Sequence, residues 1–201
     1  MISQIWTIGH STRDIFYFIA ALQANGIKWV ADVRLLPGSK RYPHFNQEAL
    51  QVSLGDTGIG YEHFPELGGR RNPKPDSLNI AWRNEAFRGY ADYMETEEFD
   101  RGIKRLTALA EQAGPTAVMC AEAVWWRCHR ALISDFLKVR DVEVTHIFDA
   151  KKNELHPFTS AASVLDGQLS YASTLAQADQ SPVSWPFPRV SAKDTVRPRL
   201  I

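Results

Sequence analysis

The chain has 201 residues, of which 44% are hydrophobic and 23% are charged, and its 23 Lys and Arg residues balance its 23 Asp and Glu residues. This composition is typical of one soluble globular domain, and a chain of this length folds without disulfide or metal crosslinks. Zero net charge provides no global attraction to nucleic acid or anionic membrane, and the apolar runs are far shorter than the roughly 20 residues of a membrane-spanning helix. Composition therefore excludes a membrane protein and gives no support to polyanion binding.

The N-terminal residues and the cysteines bear on the compartment. Residues 1–6 have neither the basic segment nor the long apolar core of a secretory signal, so we expect a cytoplasmic protein. The two cysteines are Cys120 and Cys128. In a reducing compartment, such a pair is more often reactive, metal-binding or inert than a structural disulfide.

Apolar periodicity in the first part of the chain alternates between strand-like and helical spacing, which is typical of α/β proteins. Residues 4–9 predict a buried strand, and Ser11 is the expected N-cap of a helix that ends near residue 26. A second strand is predicted at residues 29–33. The short connections indicate a right-handed crossover between parallel strands. Residues 34–46 contain two prolines and a glycine and predict an irregular loop.

The middle of the chain continues the alternation up to residue 148. A helix is predicted from Asn46 to Leu54, a third strand at residues 58–63, and a long basic loop at residues 64–80. The remaining predicted elements are helices at residues 84–94 and 96–113, a strand at 116–120, a helix containing Leu132 to Leu137, and a strand at 142–148.

The C-terminal residues differ in composition from the rest. Four prolines after Ser181 exclude long regular structure, and Trp185 and Phe187 favour docking on another surface. We therefore predict a single α/β domain over residues 1–175, with a central, mainly parallel sheet flanked by helices. Residues 176–201 are predicted to form an irregular Pro-rich tail or wrapping arm.

Chemically reactive side chains follow three of the predicted strands. They are His10, Ser11 and Arg13 after the first strand, Asp32 and Arg34 at the end of the second, and Cys120, Glu122, Cys128, His129 and Arg130 after the fourth. In open α/β sheets, sites form beyond the carboxyl ends of the strands. We therefore expect the first, second and fourth strands to be neighbours, so that these side chains face one crevice.

The arginines at this edge predict an anion site. Helix N-termini normally attract acidic residues, yet Arg13 is predicted in the first turn of one helix and Arg130 opens another. An anion between them would be held by backbone N–H and guanidinium groups. Arg34 follows Asp32 by two positions, so the carboxylate can orient that guanidinium on the same strand face. The alternative is a structural network of buried salt bridges.

The cysteines are open to several interpretations. Cys128 has basic neighbours near a predicted helix N-terminus, a setting that lowers a thiol pKa and favours a nucleophile or a metal ligand. Cys120 ends a buried strand and can equally be a core residue. Cys120, Cys128 and His129, with His10, could ligate zinc or iron, although their spacing matches no known zinc motif. The spacing also differs from the Cys-x5-Arg loop of thiol phosphatases and rhodanese-like enzymes.

Six ordered motifs of the chain resemble the domain of unknown function 488 family. They are Thr7–Thr12, Asp32–Arg34 with Pro37 and Ser39, Phe87–Met94, Cys120–Glu122, Cys128–Arg130, and His146–Ile147. The resemblance implies a single α/β domain in cytoplasmic bacterial or archaeal proteins and no established activity. The motif residues it implies at the site are His10, Arg13, Asp32, Arg34, Cys120, Glu122, Cys128, His129 and Arg130.

The leading hypothesis is an enzyme that acts on a small phosphorylated or nucleotide-like anion. Its catalytic candidates are Cys120, Glu122, Cys128 and His129, and its anion-binding candidates are His10, Ser11, Arg13, Asp32, Arg34 and Arg130. Glu122 would serve as a general acid or base, or as a counter-ion of the arginines. This hypothesis assigns no metal ligand, and the sequence identifies no cofactor or oligomeric state.

Two other functions stay open at this point. Whether the domain catalyses a reaction also stays open. The first is a nucleic-acid-associated binding module that uses the basic loop Arg70–Lys74, the crevice and nearby tryptophans. The second is a metal-binding protein built around Cys120, Cys128 and His129, with His10 nearby. Salt dependence of binding would identify the first, and elemental analysis the second.

Overall fold

The computed structural model describes residues 2–172. Its strands are β1 (Gln4–Gly9), β2 (Trp29–Asp32), β3 (Gly60–His63), β4 (Thr116–Cys120), β5 (Glu143–Ile147), β6 (Asn153–Leu155), β7 (Ser163–Leu165) and β8 (Gln168–Ser170). Its α-helices are α1 (Ile15–Ala24), α2 (Gln47–Gly55), α3 (Glu85–Tyr93), α4 (Glu97–Ala113) and α5 (Arg130–Lys138), and short 3-10 turns span Pro43–Phe45, Pro65–Leu67 and Trp125–Arg127. The predicted Pro-rich tail, residues 176–201, and the boundary at residue 175 lie outside the described residues.

The described part of the chain contains a central six-stranded sheet with the order β3-β2-β4-β1-β5-β6. Strands β1 to β5 are parallel, and β6 pairs antiparallel with β5. Strands β7 and β8 form a separate two-stranded hairpin. The predicted mainly parallel sheet is therefore confirmed, and so is the prediction that the first, second and fourth strands are neighbours.

Both faces of the sheet are covered by helices. Helices α3, α4 and α5 bury residues such as Phe99 and Phe136 on one face, and α1 and α2 bury Phe18 and Leu50 on the other. Each large apolar side chain stabilises the fold by roughly 1.5–3 kcal/mol when fully buried. Strand β4 lies between these layers with all five residues buried, which explains its uninterrupted apolar sequence.

Helix α4 shows how local sequence sets the limits of an element. The Thr96 hydroxyl accepts the Phe99 N–H at 3.3 Å, and the first turn carries three acidic residues, which favours the positive end of the helix dipole. Gly114 ends the helix with a φ of +91°, a conformation that only glycine adopts readily. The predicted helix at residues 96–113 is confirmed.

Helix α1 begins later than the sequence predicts. Its N-cap is Asp14, whose carboxylate accepts the Phe16 N–H at 2.8 Å. Ser11 instead sits in a turn with a φ of +50°, where its backbone N–H donates to the Ala121 carbonyl at 2.8 Å. Because this bond holds the chain against the next loop, the helix cannot start at Ser11. Arg13 therefore precedes the helix, and its predicted place in the first helical turn is wrong.

The short strands after β5 are missing from the sequence prediction. Strands β6, β7 and β8 have three residues each, and β6 lies at the sheet edge with two of its three residues exposed. Such segments lack the length over which apolar alternation can be recognised. Strand β3 also starts at Gly60 rather than at residue 58, because Gly58 adopts a φ of +75°.

Candidate functional site

The sheet register brings the loops after β1 and β4 together. Gly9 pairs with Cys120, and the His10 backbone N–H donates to the Cys120 carbonyl at 3.0 Å. No residue with a side chain fits at position 9, because a Cβ there would lie 1.8 Å from the Glu122 carbonyl oxygen and 2.9 Å from Arg130 Nη2. The close approach of the two loops therefore requires a glycine.

Arg34 and Asp32 form a buried ion pair at the end of β2. Arg34 Nη2 donates to Asp32 Oδ2 at 2.6 Å, and Nε donates to both carboxylate oxygens. The carboxylate also accepts the Tyr61 hydroxyl at 2.8 Å, and Arg34 Nη1 donates to the Phe45 carbonyl at 2.8 Å. Asp32 thus orients the Arg34 guanidinium, as the spacing predicts, and neutralises much of its charge.

His10 lies beside this pair as a neutral imidazole. Its Nδ1 bonds to the Ser11 carbonyl at 2.9 Å and therefore carries the proton, so Nε2 accepts from Arg34 Nη1 at 3.4 Å. Burial and the charge of Arg34 lower the pKa of His10 to about 4. His10 therefore binds Arg34 near neutral pH and does not add a charge to the crevice.

Cys120 and Cys128 are joined by a hydrogen bond. The hydrogen bond to Cys128, together with burial, raises the pKa of the Cys120 thiol well above its usual value. Burial alone would raise the pKa of Cys128 too, but the Cys120 hydrogen bond and the charge of Arg130 hold it well below its usual value. Arg130 Nε donates to Cys128 Sγ at 3.3 Å. These contacts favour negative charge on the Cys128 sulfur rather than on that of Cys120.

The His129 ring is held in one orientation. Its Nε2 donates to the Val33 carbonyl at 3.2 Å, and its Nδ1 faces Cys128 Sγ at 3.7 Å. The hydrogen bond between His129 and Cys128 also lowers the pKa of Cys128. A Cβ at Gly69 would lie 2.7 Å from this Nδ1, so the glycine keeps the space beside the nitrogen open. Nδ1 is therefore the ring nitrogen that faces the cysteines.

A candidate metal centre follows from these three side chains. Cys120 Sγ, Cys128 Sγ and one ring nitrogen of His129 lie within 4.8 Å of one another. Two thiolates and an imidazole are the donors preferred by zinc and other thiophilic ions.

Arg130 supports this cluster from the start of α5. It is 1% exposed, and its Nη2 donates to the Glu122 backbone carbonyl at 2.5 Å while its Nη1 donates to Thr7 Oγ1 at 3.4 Å. None of the carboxylates in the described residues forms an ion pair with Arg130. Its charge therefore remains available to the Cys128 thiolate.

Arg13 lines a pocket together with Tyr17, Phe148 and Asp149. Its Nη2 donates to the Phe148 carbonyl, and its Nη1 is buried without a hydrogen-bond partner among the described residues. Burial and the charge of Arg130 lower the pKa of Arg13, and the charge of Asp149 opposes this shift. The Nη1 group is therefore the unsatisfied donor of this arginine.

The predicted site residues separate into two groups of contacting side chains and three residues outside them, which are Ser11, Arg13 and Glu122. Direct contacts join Asp32, Arg34 and His10 into one group and Cys120, Cys128, His129 and Arg130 into a second, and the pairing of Gly9 with Cys120 brings the two groups together. Glu122 is exposed, and only its backbone carbonyl contacts Arg130. Ser11 acts through its backbone in the turn.

Sequence reasoning gave no role to four buried polar residues of this region, although two of them lie within the motifs of the family resemblance: Thr7, Asp135, His146 and His156. The signal that could have found them is a polar side chain inside an otherwise apolar run, such as Thr7 in β1 and His146 in β5. Such a pattern does not show which partner the side chain contacts.

The family described as "Domain of unknown function DUF488" matches residues 14–137. The chain belongs to the DUF488 family. No curated protein and no solved structure matches it. The matched part of the DUF488 domain includes Asp32, Arg34, Cys120, Cys128 and Arg130, whereas the motifs at Thr7–Thr12 and His146–Ile147 lie outside it. Among the described residues of this DUF488 protein, no helix is long and apolar enough to cross a membrane.

Proposed function

We propose that this DUF488 domain binds a thiophilic divalent metal ion, Zn²⁺ in the first instance, through Cys120, Cys128 and His129. The observation that carries the proposal is the 4.8 Å limit on the distances between the three donor atoms. Zn–S bonds of about 2.3 Å and Zn–N bonds of about 2.0 Å place tetrahedral ligands roughly 3.5–4 Å apart. Small side-chain movements would therefore close the site around an ion.

The protonation states favour this function. Metal ligands must be deprotonated, and the pKa of Cys128 is already well below its usual value because Cys120 and Arg130 donate towards it. Because His129 Nε2 is bonded to Val33, Nδ1 is the ring nitrogen that would ligate the ion. Binding would release the protons that the three ligands still carry.

The surrounding contacts resemble those that support known metal ligands. The Val33 carbonyl orients His129, and the Arg130 Nε–H orients the Cys128 sulfur. Three protein ligands leave the fourth position of a tetrahedral ion open, as in catalytic zinc sites. With Arg130 and Arg13 nearby, an anionic ligand is favoured at that position.

Metal titration of the reduced, metal-free protein tests the proposal. We expect one Co²⁺ per chain, with thiolate charge-transfer and tetrahedral ligand-field absorption, and displacement by Zn²⁺. Cys120→Ser, Cys128→Ser and His129→Gln should each weaken binding by at least about tenfold. His44→Gln, a half-buried histidine outside the cluster, is the matched control. Failure of the unaltered protein to bind Co²⁺ or Zn²⁺ would refute the proposed function.

A second candidate is an enzyme that uses the Cys128 thiolate, without metal, on a small phosphorylated or nucleotide-like anion. The unpaired Nη1 of Arg13 favours it, because this donor has no hydrogen-bond partner among the described residues. Calorimetry with phosphate, sulfate and mononucleotides on metal-free protein is the test. We expect Arg13→Met to abolish anion binding, and the absence of any binding by the unaltered protein would dismiss this candidate.

Nucleic-acid binding by the basic loop Arg70–Lys74 stays a prediction. Two of the three cations of this loop already have partners within the chain. Arg71 stacks on the Tyr93 ring at 3.7 Å, and Lys74 pairs with Glu95 at 2.9 Å. Arg70 and Lys74 are nevertheless exposed, whereas Arg71 is half-buried. Cytoplasmic location likewise stays a prediction.

A further inference from the structure

A line of buried polar side chains connects Arg130 to a distant carboxylate. Arg130 Nη1 lies 3.4 Å from Thr7 Oγ1, and Thr7 Oγ1 lies 2.7 Å from His146 Nδ1. His146 Nε2 is 2.9 Å from His156 Nδ1, and His156 Nε2 is 3.0 Å from Asp135 Oδ1. All five side chains are 2% exposed or less.

The two ends of this line carry opposite charges. The Asp135 carboxylate can only accept, so His156 Nε2 donates to it. Arg130 can only donate, so Thr7 Oγ1 accepts from its Nη1. The hydrogen bonds between Thr7, His146 and His156 complete a continuous path between the cation and the anion, and such a path stabilises both charges.

The two ends of the line are held by separate parts of the fold. Asp135 also accepts the hydroxyl groups of Thr159 at 2.6 Å and Tyr171 at 2.9 Å, which fixes its carboxylate. Trp125 stacks on the His146 ring with a centroid distance of 4.6 Å and an angle of 10°. Rotation of the imidazole would disrupt both this stacking and two hydrogen bonds.

A comparison of Arg130 with Arg34 indicates the function of this line of buried polar side chains. Arg34 is buried against the Asp32 carboxylate, whereas Arg130 is buried with its compensating carboxylate three side chains away. A carboxylate in direct contact with Arg130 would neutralise the guanidinium and repel the adjacent thiolate. The distant Asp135 carboxylate offsets part of the free-energy cost of burying the Arg130 charge. The guanidinium can then still attract the Cys128 sulfur.

We propose that Thr7, His146, His156 and Asp135 are positioning residues that hold the Arg130 guanidinium against Cys128 Sγ while keeping the compensating carboxylate away from it. The inference deepens the proposed function, on which it rests, because Cys128 is one of the three ligands. Its test uses metal-free protein and thiol reactivity, so that it can fail while metal binding is observed, and the reverse.

The decisive experiment compares Thr7→Val with Thr7→Ser. Valine keeps the branched shape of threonine and removes the hydroxyl, whereas serine keeps the hydroxyl. The first readout is the rate of iodoacetamide modification of Cys128 relative to Cys120 at neutral pH, followed by mass spectrometry. The second is the NMR signal of the Arg130 Nε–H, assigned with Arg130→Lys.

We expect Thr7→Val to shift the Arg130 signal and to lower the Cys128-to-Cys120 rate ratio by more than about twofold, because the Arg130 Nε–H is no longer held against Cys128 Sγ. Thr7→Ser should stay within about twofold of the unaltered protein. Thr145→Val, which removes a buried hydroxyl outside the line on β5, is the matched control and should change neither readout.

A merely structural role predicts a different result. Thr7→Val would then lower the free energy of unfolding and leave both the rate ratio and the Arg130 signal unchanged, which would overturn the proposal. Should Thr7→Val not fold, His156→Gln interrupts the line at a position farther from the cysteines, and the same two readouts decide.

Discussion

The Arg34 side chain donates three hydrogen bonds to the carboxylate of Asp32, the shortest at 2.6 Å, in a pair whose side chains are 6% and 0% exposed. Removal of one partner from such a pair leaves an uncompensated buried charge. Arg34→Met, which retains much of the apolar stem, should therefore lower the free energy of unfolding by about 3–5 kcal/mol. Urea denaturation measures this loss.

The double variant Arg34→Met with Asp32→Asn provides the control for that loss. Neutralising the carboxylate removes the stranded charge, so the double variant should be more stable than Arg34→Met alone. A loss below about 1 kcal/mol in Arg34→Met would show that the pair is solvated and contributes little.

Gly9 is predicted to be irreplaceable by any residue with a Cβ. In Gly9→Ala the new methyl group would overlap the Glu122 carbonyl oxygen, a backbone atom that cannot rotate away. We expect a loss of at least about 2 kcal/mol in the free energy of unfolding, from overpacking and loss of the β1–β4 loop contacts. Gly38→Ala, where no atom lies within 4 Å of the new Cβ, should be neutral within about 0.5 kcal/mol in thermal and urea unfolding. Equal stability of the two variants would contradict the loop geometry.

Acid should destabilise the domain through two buried histidines. Burial, with the charge of Arg34, lowers the pKa of His10 to about 4, and burial, with His156, lowers that of His146 to about 2. The unfolded chain binds protons on both below about pH 6.5, whereas the folded chain does not. The free energy of unfolding therefore falls as the pH drops from about 6.5 to 4, by up to about 1.4 kcal/mol per pH unit for each histidine.

Urea unfolding at pH 7, 6 and 5 measures this dependence. His10→Gln removes one of the two proton-binding differences and should reduce the slope between pH 6 and 5. Stability that does not change over this interval would show that both histidines are protonated normally in the folded protein.

Asp92 is expected to hold the basic loop in place. Its buried carboxylate accepts the Lys74 backbone N–H at 2.8 Å, the Ser77 hydroxyl at 2.6 Å and the Asn79 amide at 2.8 Å. Asp92→Ala should leave these donors unpaired and increase amide hydrogen exchange across residues 70–80. Asp76→Ala, an exposed carboxylate in the same loop, is the control and should leave exchange unchanged. Unaltered protection in Asp92→Ala would show that other contacts hold the loop.

The two thiols should differ in reactivity at neutral pH. The pKa of Cys128 is lowered and that of Cys120 is raised, because the Cys120 thiol donates a hydrogen bond to Cys128 and Arg130 lies beside Cys128. Iodoacetamide should therefore modify Cys128 first in reduced, metal-free protein, as mass spectrometry of the digested chain would show. Preferential modification of Cys120 would reverse the assignment of thiol and thiolate.

The sequence by itself determined the fold class and most of the crevice. Apolar periodicity located the five parallel strands and the longer helices, because burial on a sheet or helix face imposes a repeat that is visible locally. The rule that sites follow strand ends then pointed to His10, Arg34 and Cys128. The spacing of Asp32 and Arg34 was also sufficient to predict their contact, since residues two apart on a strand share a face.

Only the tertiary structure decided how the charges are distributed within the crevice. Among the described residues, Arg34 forms an ion pair with a carboxylate and Arg130 forms none, although both arginines follow a strand and look alike in the sequence. Thr7 contacts His146 because they are direct partners in the pairing of β1 with β5. A shift of one residue in that register would turn one of the two side chains to the other face. Contacts between residues so far apart in the chain depend on register and packing, which no local pattern contains.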